Sequence, residues 1–280
     1  MTHRSYVYSF CVFGLLAFAL PAASTLWAQE PASFVADARK YVIESGSDGA
    51  KLTLNERSLL NWTNPARQQE RGAIYVWEIE GRPLAIGSLF TYEYAGNVYA
   101  KHEFQSLSAE PLRSTFDGKL AWTPKSAGIE WRDFQDPPTV GTTHTARLLQ
   151  MRKLVRPFRG ELVSLTGEKT ELRLLSRPLL EYSCPKLGIV EGAIFSFAVA
   201  TDPEVLLLVE AFDSETNGTR HTDYRHAFAR FHYWQVAVYD GEKMIWDAPL
   251  DDTHANNPIG DTKNIEKPYN SYQPRSGPEK

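Results

Sequence analysis

Histidine and carboxylate side chains in two segments have the greatest potential for chemistry in this chain. His102 is followed directly by Glu103, and His226 lies in a second segment rich in ionisable residues. Glu210 follows the apolar run 205–209, which is an unusual place for a carboxylate. Imidazole and carboxyl groups that lie close together can exchange protons with a substrate. His102, Glu103, His226 and Glu210 are therefore candidate catalytic residues if the fold brings them together.

The same residues also have a structural interpretation, which we favour. Phe104 and Phe228 each lie two residues after a histidine, which is typical of packing positions on a strand. Glu210 can simply pair with an arginine. The arginines considered for that pair are Arg57, Arg177 and Arg230. The histidine spacing matches no known ligand signature, so we expect no metal site and no cofactor.

The elements that carry these residues follow from an internal repeat. Residues 51–90 match residues 171–210 at a fixed offset of 120, with ten identical positions and many similar ones. With small gaps, the match extends over 51–124 and 171–249, and it makes His102 the counterpart of His226. Such self-similarity predicts a duplicated structural unit.

Each unit has a strand pattern with a helical pattern before it. Aromatic and β-branched residues alternate in 73–79 and in 193–199, as expected of strands. Apolar residues at helical spacing predict helices in 33–44 and 143–158, the second with Thr142 or Thr143 as N-cap. We therefore predict an α+β fold, a tandem duplication of a helix plus an antiparallel β-meander, possibly packed with pseudo-twofold symmetry. An all-β sandwich is the alternative.

The predicted organisation has five parts. They are a signal peptide at 1–28, a first helix-plus-meander repeat at 33–124, a linker at 125–142, a second repeat at 143–249, and a loosely ordered tail at 250–280. The signal peptide rests on a basic start, an apolar stretch from Tyr6 to Leu20 and small residues after it. It predicts a secreted, periplasmic or cell-envelope protein with no transmembrane segment after the signal is removed.

Two tryptophans are candidates for a ligand or partner surface. Trp131 and Trp234 have no counterpart in the other unit, whereas Trp122 is matched by Trp246 and is better explained as core. Tryptophan is enriched at binding surfaces because its large ring also carries a polar N–H group. We therefore expect Trp131 and Trp234 to line a cleft or a partner surface.

Four segments carry a resemblance to a known family. They are 102–108, 147–152, 192–195 and 201–211. Over about 52–249 the chain resembles a family of exported, uncharacterised proteins from planctomycete bacteria. Glu191, Ala200 and Glu181 stand where that family has Asp, Gly and Arg, so the family's arginine has no equivalent in this chain. The resemblance implies export and lineage, and it implies no known activity.

Composition and missing motifs complete the functional expectation. The net charge of −4 gives no basic excess for nucleic acid. The sequence contains no nucleophile elbow, phosphate-binding glycine loop or paired-cysteine metal motif. We therefore expect an exported, non-catalytic protein that binds a partner or small ligand or serves the cell envelope. A hydrolase with a site between the two repeats, built from the four candidate catalytic residues, is the alternative.

Overall fold

Alternating and apolar runs in the sequence form long antiparallel strands. The computed structural model of the protein describes residues 32–46, 48–68, 70–216, 219–251 and 265–274. The predicted signal peptide at 1–28 lies outside the described residues.

The elements of the first half, in chain order, are α1 (Ala32–Ala38), β1 (Tyr41–Ser45), β2 (Thr53–Asn64), β3 (Glu70–Ile79), β4 (Arg82–Tyr94), β5 (Asn97–Ser106), β6 (Leu112–Phe116), β7 (Lys119–Trp122) and β8 (Arg132–Asp133). Those that follow are α2 (His144–Val155), β9 (Phe158–Val163), β10 (Lys169–Leu174), β11 (Leu180–Cys184), a short 3₁₀ helix (Pro185–Leu187), β12 (Ile189–Val199), β13 (Asp202–Thr216), β14 (Thr219–Arg230), β15 (Gln235–Asp240), β16 (Lys243–Ala248) and β17 (Tyr269–Tyr272).

The protein is mostly β, and the predicted α+β class is wrong. The two α-helices of the described residues have only 7 and 12 residues. The helix predicted at 33–44 ends at Ala38, because Tyr41, Val42 and Ile43 alternate between buried and exposed and form β1. The second predicted helix is confirmed as α2, with the Thr143 hydroxyl accepting a hydrogen bond from the Ala146 N–H at 3.2 Å.

The strands of the described residues form three sheets in which every pair is antiparallel. A five-stranded sheet has the order β17-β5-β4-β3-β2. A nine-stranded sheet has the order β16-β15-β9-β10-β12-β13-β14-β8, and β11 also pairs with β12. A small third sheet has the order β1-β6-β7. Each large sheet thus contains a meander of consecutive strands.

Several strand pairs recur in the two halves of the chain, although the first half forms two sheets and the second half forms one. β1 pairs with β6 and β6 with β7, just as β9 pairs with β15 and β15 with β16. The registers also correspond: Leu89 faces His102 across β4 and β5, and Val209 faces His226 across β13 and β14. An origin by duplication stays a prediction.

A glycine opposite an aromatic ring marks the same place in both halves. Trp62 faces Gly72 across β2 and β3, and Tyr182 faces Gly192 across β11 and β12. A Cβ atom on Gly192 would lie 2.3 Å from the Tyr182 ring, and one on Gly72 would lie 2.5 Å from Phe90 Cβ. Only glycine leaves room for these rings to lie over the strand.

Three clusters of buried side chains hold the sheets together. One contains Trp77 and Trp122 and joins the five-stranded sheet to α1 and the small sheet. A second contains Ile74 and Leu206, so it lies between the two large sheets. The third contains Phe197 and covers the other face of the nine-stranded sheet, where α2 packs. Both faces of each meander are therefore buried.

Parts of the predicted linker and tail belong to the sheets. Within the predicted linker at 125–142, β8 pairs with β14. For residues 265–274 the prediction of a loosely ordered tail is wrong, because β17 pairs with β5 and its four side chains are buried. Across the described residues, neither helix has the length and apolar character needed to span a bilayer.

Candidate functional site

His102 is a buried structural residue in the first core. Only 1% of its surface is exposed, and its ring packs against Tyr41, Phe116 and Tyr272. The Tyr272 hydroxyl donates to the Tyr41 hydroxyl, whose oxygen lies 2.7 Å from His102 Nδ1. His102 Nε2 lies 3.7 Å from Asp37 Oδ2. Both ring nitrogens therefore face partners inside the protein.

His226 packs into a different aromatic cluster. Its ring contacts Phe134, Phe158 and Phe228, and its Nδ1 is buried without a hydrogen-bond partner among the described residues. Burial, and secondarily the charge of Arg132, lower the pKa of His226 from 6.5 to about 4. The rings around the two histidines have no residue in common, so these histidines do not share a site.

Glu210 is an ion-pair partner inside the nine-stranded sheet. It is completely buried, and its Oε2 accepts hydrogen bonds from Arg225 Nε at 2.9 Å and Nη2 at 2.5 Å. Its Oε1 accepts a hydrogen bond from the Tyr182 hydroxyl at 2.9 Å. The expected pairing with an arginine is confirmed, but the partner is Arg225, which none of the sequence candidates included. Glu210 is a neighbour of neither histidine ring.

Trp131 and Trp234 have different surroundings. Trp131 is half-buried with its ring 4.4 Å from the Arg225 guanidinium, so it helps to enclose the Glu210 ion pair. Trp234 lies in the loop between β14 and β15 and lines a cleft, with its ring 5.0 Å from the Arg67 guanidinium. Of the two tryptophans, Trp234 is the one on the wall of a cleft.

The cleft has a volume of about 530 Å³ and contains residues of both large sheets. It lies where the turn after β2, together with β4 and β5, meets the start of β13 and the loop before β15. Its lining residues are Trp62, Ala66, Arg67, Gln68, Glu70, Phe90, Tyr92, Tyr94, Lys101, Glu103, Asp202, His232, Tyr233 and Trp234. Of the four candidate catalytic residues, only Glu103 lines it.

Strand alternation explains why Glu103 and His102 separate. Successive side chains on β5 point to opposite faces, so Lys101 and Glu103 face the cleft while His102 and Phe104 enter the first core. The two histidines align in the predicted repeat, but each side chain points into the core of its own sheet.

Arg67 is the centre of the polar side of the cleft. Its Nη1 lies 3.4 Å from Asp202 Oδ2 and 4.0 Å from Glu70 Oε2, and its Nη2 lies 3.0 Å from Glu204 Oε1. Asn64 Nδ2 donates a hydrogen bond to Asp202 Oδ2 at 3.1 Å. One cation thus serves three carboxyl groups, which favours retention of protons by some of them.

The carboxyl groups of the cleft hold their protons more tightly than usual. Burial, followed by the charge of Asp202, raises the pKa of Glu70 to about 8, although Arg67 opposes the shift. Burial also raises the pKa of Asp202 to about 7, against the effect of Arg67. The pKa values of Glu204 and Glu103 are raised as well, mainly by burial. The cleft therefore contains groups that can donate or accept protons near neutral pH.

The aromatic side of the cleft is held in place by Arg230. Its guanidinium donates hydrogen bonds to the carbonyl oxygens of His232, Tyr233 and Trp234 at 2.8–3.0 Å. The backbone N–H of Trp234 also donates a hydrogen bond to His232 Nδ1 at 3.0 Å. These bonds fix the loop, so the Tyr233 and Trp234 rings are presented to the cleft in a defined orientation.

The described residues contain no group of three or more His, Cys, Asp or Glu side chains arranged to hold a metal ion. In the cleft, the Arg67 guanidinium occupies the space between the carboxyl groups in which a bound metal cation would have to lie.

Most of the cleft was not identified from the sequence. Arg67 and Glu70 lie in 66–71, where the two units do not match, so the repeat gives no reason to select them. Asp202 lies in the segment 201–211 that carries the family resemblance, which is the one signal that points toward it.

The chain was compared with protein-family models, with curated proteins and with solved structures, and none of them matches.

Proposed function

We propose that the protein is an exported, non-catalytic binding protein that takes a small hydroxylated ring compound, such as a sugar, in this cleft. One observation carries the proposal. The cleft of about 530 Å³ combines aromatic rings on one side with buried carboxyl, guanidinium and amine groups on the other. Small-molecule sites are typically concave, with apolar walls and a few convergent polar groups.

The chemistry of the two walls suits a sugar ring. The C–H face of such a ring packs on aromatic side chains such as Tyr233 and Trp234. Its hydroxyl groups donate and accept hydrogen bonds at the same time. Carboxyl groups that retain a proton, such as Glu70 and Asp202, can likewise do both.

A binding experiment tests the proposal with a control of the same residue type. Trp62 and Trp234 line the cleft, so their fluorescence should change when sugars and sugar alcohols are titrated into the protein. Trp234→Ala should weaken binding about tenfold, or about 1.4 kcal/mol. Trp246→Ala also removes a half-buried tryptophan packed on the third core, but one outside the cleft, and should leave the affinity unchanged. Equal loss in both variants, or no binding by the wild type, contradicts the proposal.

Export is part of the proposal and has its own test. It is supported by the basic start and apolar stretch of residues 1–28 and by the resemblance to exported planctomycete proteins. When the full chain is expressed in a bacterium, mass spectrometry of the envelope fraction should find a mature N-terminus near Ser24 or after Ala28. Intact chains confined to the cytoplasm would argue against export.

A hydrolase acting at this cleft is the second candidate. It is favoured by Glu70 and Asp202, whose pKa values of about 8 and about 7 suit proton transfer near neutral pH. Turnover of chromogenic aryl glycosides by the wild type, lost in Glu70→Gln, would replace the binding proposal by this one. Sugar binding without turnover would exclude it for these substrates.

A further inference from the structure

Lys101 is a buried lysine that opens onto the cleft. Only 9% of its surface is exposed, and every other lysine of the described residues is more exposed. Its ammonium nitrogen lies 5.1 Å from the centre of the Tyr233 ring. Within the described residues, the side chain makes no hydrogen bond or ion pair, whereas Lys40, Lys169 and Lys186 each reach a carboxylate.

A buried amine that makes no hydrogen bond or ion pair favours its neutral form. Water stabilises an ammonium ion strongly, and burial removes that stabilisation. Burial accordingly lowers the pKa of Lys101, although the nearby charges of Glu103 and Glu70 oppose the shift. The neutral amine has a lone pair, and Lys101 lines the cleft in which a molecule would bind.

We infer that Lys101 captures an aldehyde- or ketone-bearing ligand in the cleft as an imine. The inference rests on the proposed ligand site and adds the reactive group of its ligand, a carbonyl such as the open-chain form of a sugar presents.

The step needs no oxidant or reductant. The Lys101 nitrogen attacks the carbonyl carbon, and the π electrons of the C=O bond move to its oxygen, which takes up a proton. The nitrogen loses a proton, which gives a neutral carbinolamine. A second proton delivered to the hydroxyl group lets it leave as water while the nitrogen lone pair forms the C=N bond. Loss of the remaining N–H proton gives the imine, and the net change is amine plus carbonyl to imine plus water.

The proton donors that this step requires line the same cleft. Glu103 lies two residues from Lys101 on the same face of β5, and Glu70 lies on β3. Both act on Lys101 electrostatically, so both are near neighbours. Burial raises the pKa of Glu70 to about 8, so Glu70 can protonate the carbonyl oxygen and the departing hydroxyl group near neutral pH. Burial also raises the pKa of Glu103, so this carboxyl group holds its proton more tightly than usual.

Reductive trapping of the wild-type protein tests the inference without depending on a variant. Glyceraldehyde and cyanoborohydride are added at neutral pH, and the modified lysines are located over time by peptide mass spectrometry. Lys101 should carry the reduced adduct before Lys125, an exposed lysine paired with Glu266. Adduct on Lys125 first, or none on Lys101, overturns the inference.

Variants at Lys101 separate this inference from the proposed function. Lys101→Arg and Lys101→Met should give no adduct at position 101 while Lys125 is modified as in the wild type. A methyl glycoside keeps the sugar ring but cannot open to a carbonyl, so its binding, followed by tryptophan fluorescence, reports on the cleft alone. Methyl-glycoside binding without adduct on Lys101 defeats only the imine. Absence of both binding and adduct defeats the proposed function as well.

Discussion

At the scale of single residues, Glu210 shows how a buried charge is stabilised. Its carboxylate accepts hydrogen bonds from Arg225 and Tyr182, and the Arg225 guanidinium lies between the rings of Trp131 and Phe212. Both carboxylate oxygens of Glu210 have hydrogen-bond partners, and such bonds are the condition under which a buried ion pair is tolerated.

Glu210→Ala should lower the free energy of unfolding by about 3–5 kcal/mol, because it leaves Arg225 without its counter-ion in a largely buried place. Urea denaturation followed by circular dichroism measures the change. Glu171→Ala, on an exposed position of β10, is the control and should stay within about 0.5 kcal/mol of the wild type. A similar small change at Glu210 would show that its ion pair contributes little.

The low pKa of His226 predicts that the folded protein loses stability in acid. The unfolded chain takes up a proton at this residue below its ordinary pKa of 6.5, whereas the folded protein does so only below about 4. As the pH falls from 6.5 towards 4, the wild type should lose about 1–2 kcal/mol relative to His226→Phe, whose ring suits the same aromatic cluster. Denaturation at several pH values measures the difference, and parallel pH curves would contradict it.

The residues also show what strand alternation can and cannot predict. It correctly indicates a strand at 193–199, which is part of β12, because alternation along one strand fixes which side chains share a face. It cannot identify the partner of Glu210, because Arg225 is placed by the register between β13 and β14, which depends on the whole sheet.

At the scale of elements, β17 completes the five-stranded sheet. It pairs with β5 over Tyr269–Tyr272, and Tyr272 stacks on Phe104 with the two ring planes at 3°. Without this strand, the outer edge of β5 would expose its backbone hydrogen-bonding groups.

A chain shortened after residue 264 should therefore be less stable and should self-associate. Removal of Tyr272 alone opens the first core and is expected to cost about 3–5 kcal/mol. A chain shortened after residue 274 keeps β17 and is the matched control. Thermal denaturation and size-exclusion chromatography compare the two. Equal melting temperatures and equal monomer fractions would mean that β17 is dispensable.

Local signals predicted only some elements correctly. α2 was predictable because Thr143 caps a helical pattern within the sequence itself. The strand β1 was not, because Tyr41 and Val42 fit helical and strand spacing equally well over so short a segment. β17 lies in a polar segment, and its strand form depends on β5, more than 160 residues earlier.

At the scale of the whole molecule, the cleft exists only where the two large sheets meet. Arg67 and Asp202 are 135 residues apart, and neither lies in a motif that indicates chemistry. The sequence offered, as an alternative, a hydrolase site between the two units, and of its four residues only Glu103 lines the cleft. It could not predict which residues face each other across the gap, because that depends on how the sheets pack.

The raised pKa of Glu70 in the cleft predicts that the folded protein loses stability as the pH rises. Glu70 has a pKa of about 8 in the folded protein against an ordinary value of 4.5, so the folded state binds its proton more tightly. The stabilisation by protonated Glu70 is complete below pH 4.5 and is lost as the pH rises towards 8. Relative to Glu70→Gln, which does not titrate, the wild type should lose about 2–4 kcal/mol over this range. Chemical denaturation at matched pH values measures the difference, and a constant difference would contradict the pKa of Glu70.

The contact between Tyr41 and Tyr272 has a consequence for the order of events during synthesis. The two hydroxyl groups are 231 residues apart in the chain, yet they meet in the same core. Contacts between such distant residues form late, since the intervening chain must first be brought together. The first core therefore stays open until residue 272 has left the ribosome, whatever the other two cores have done by then.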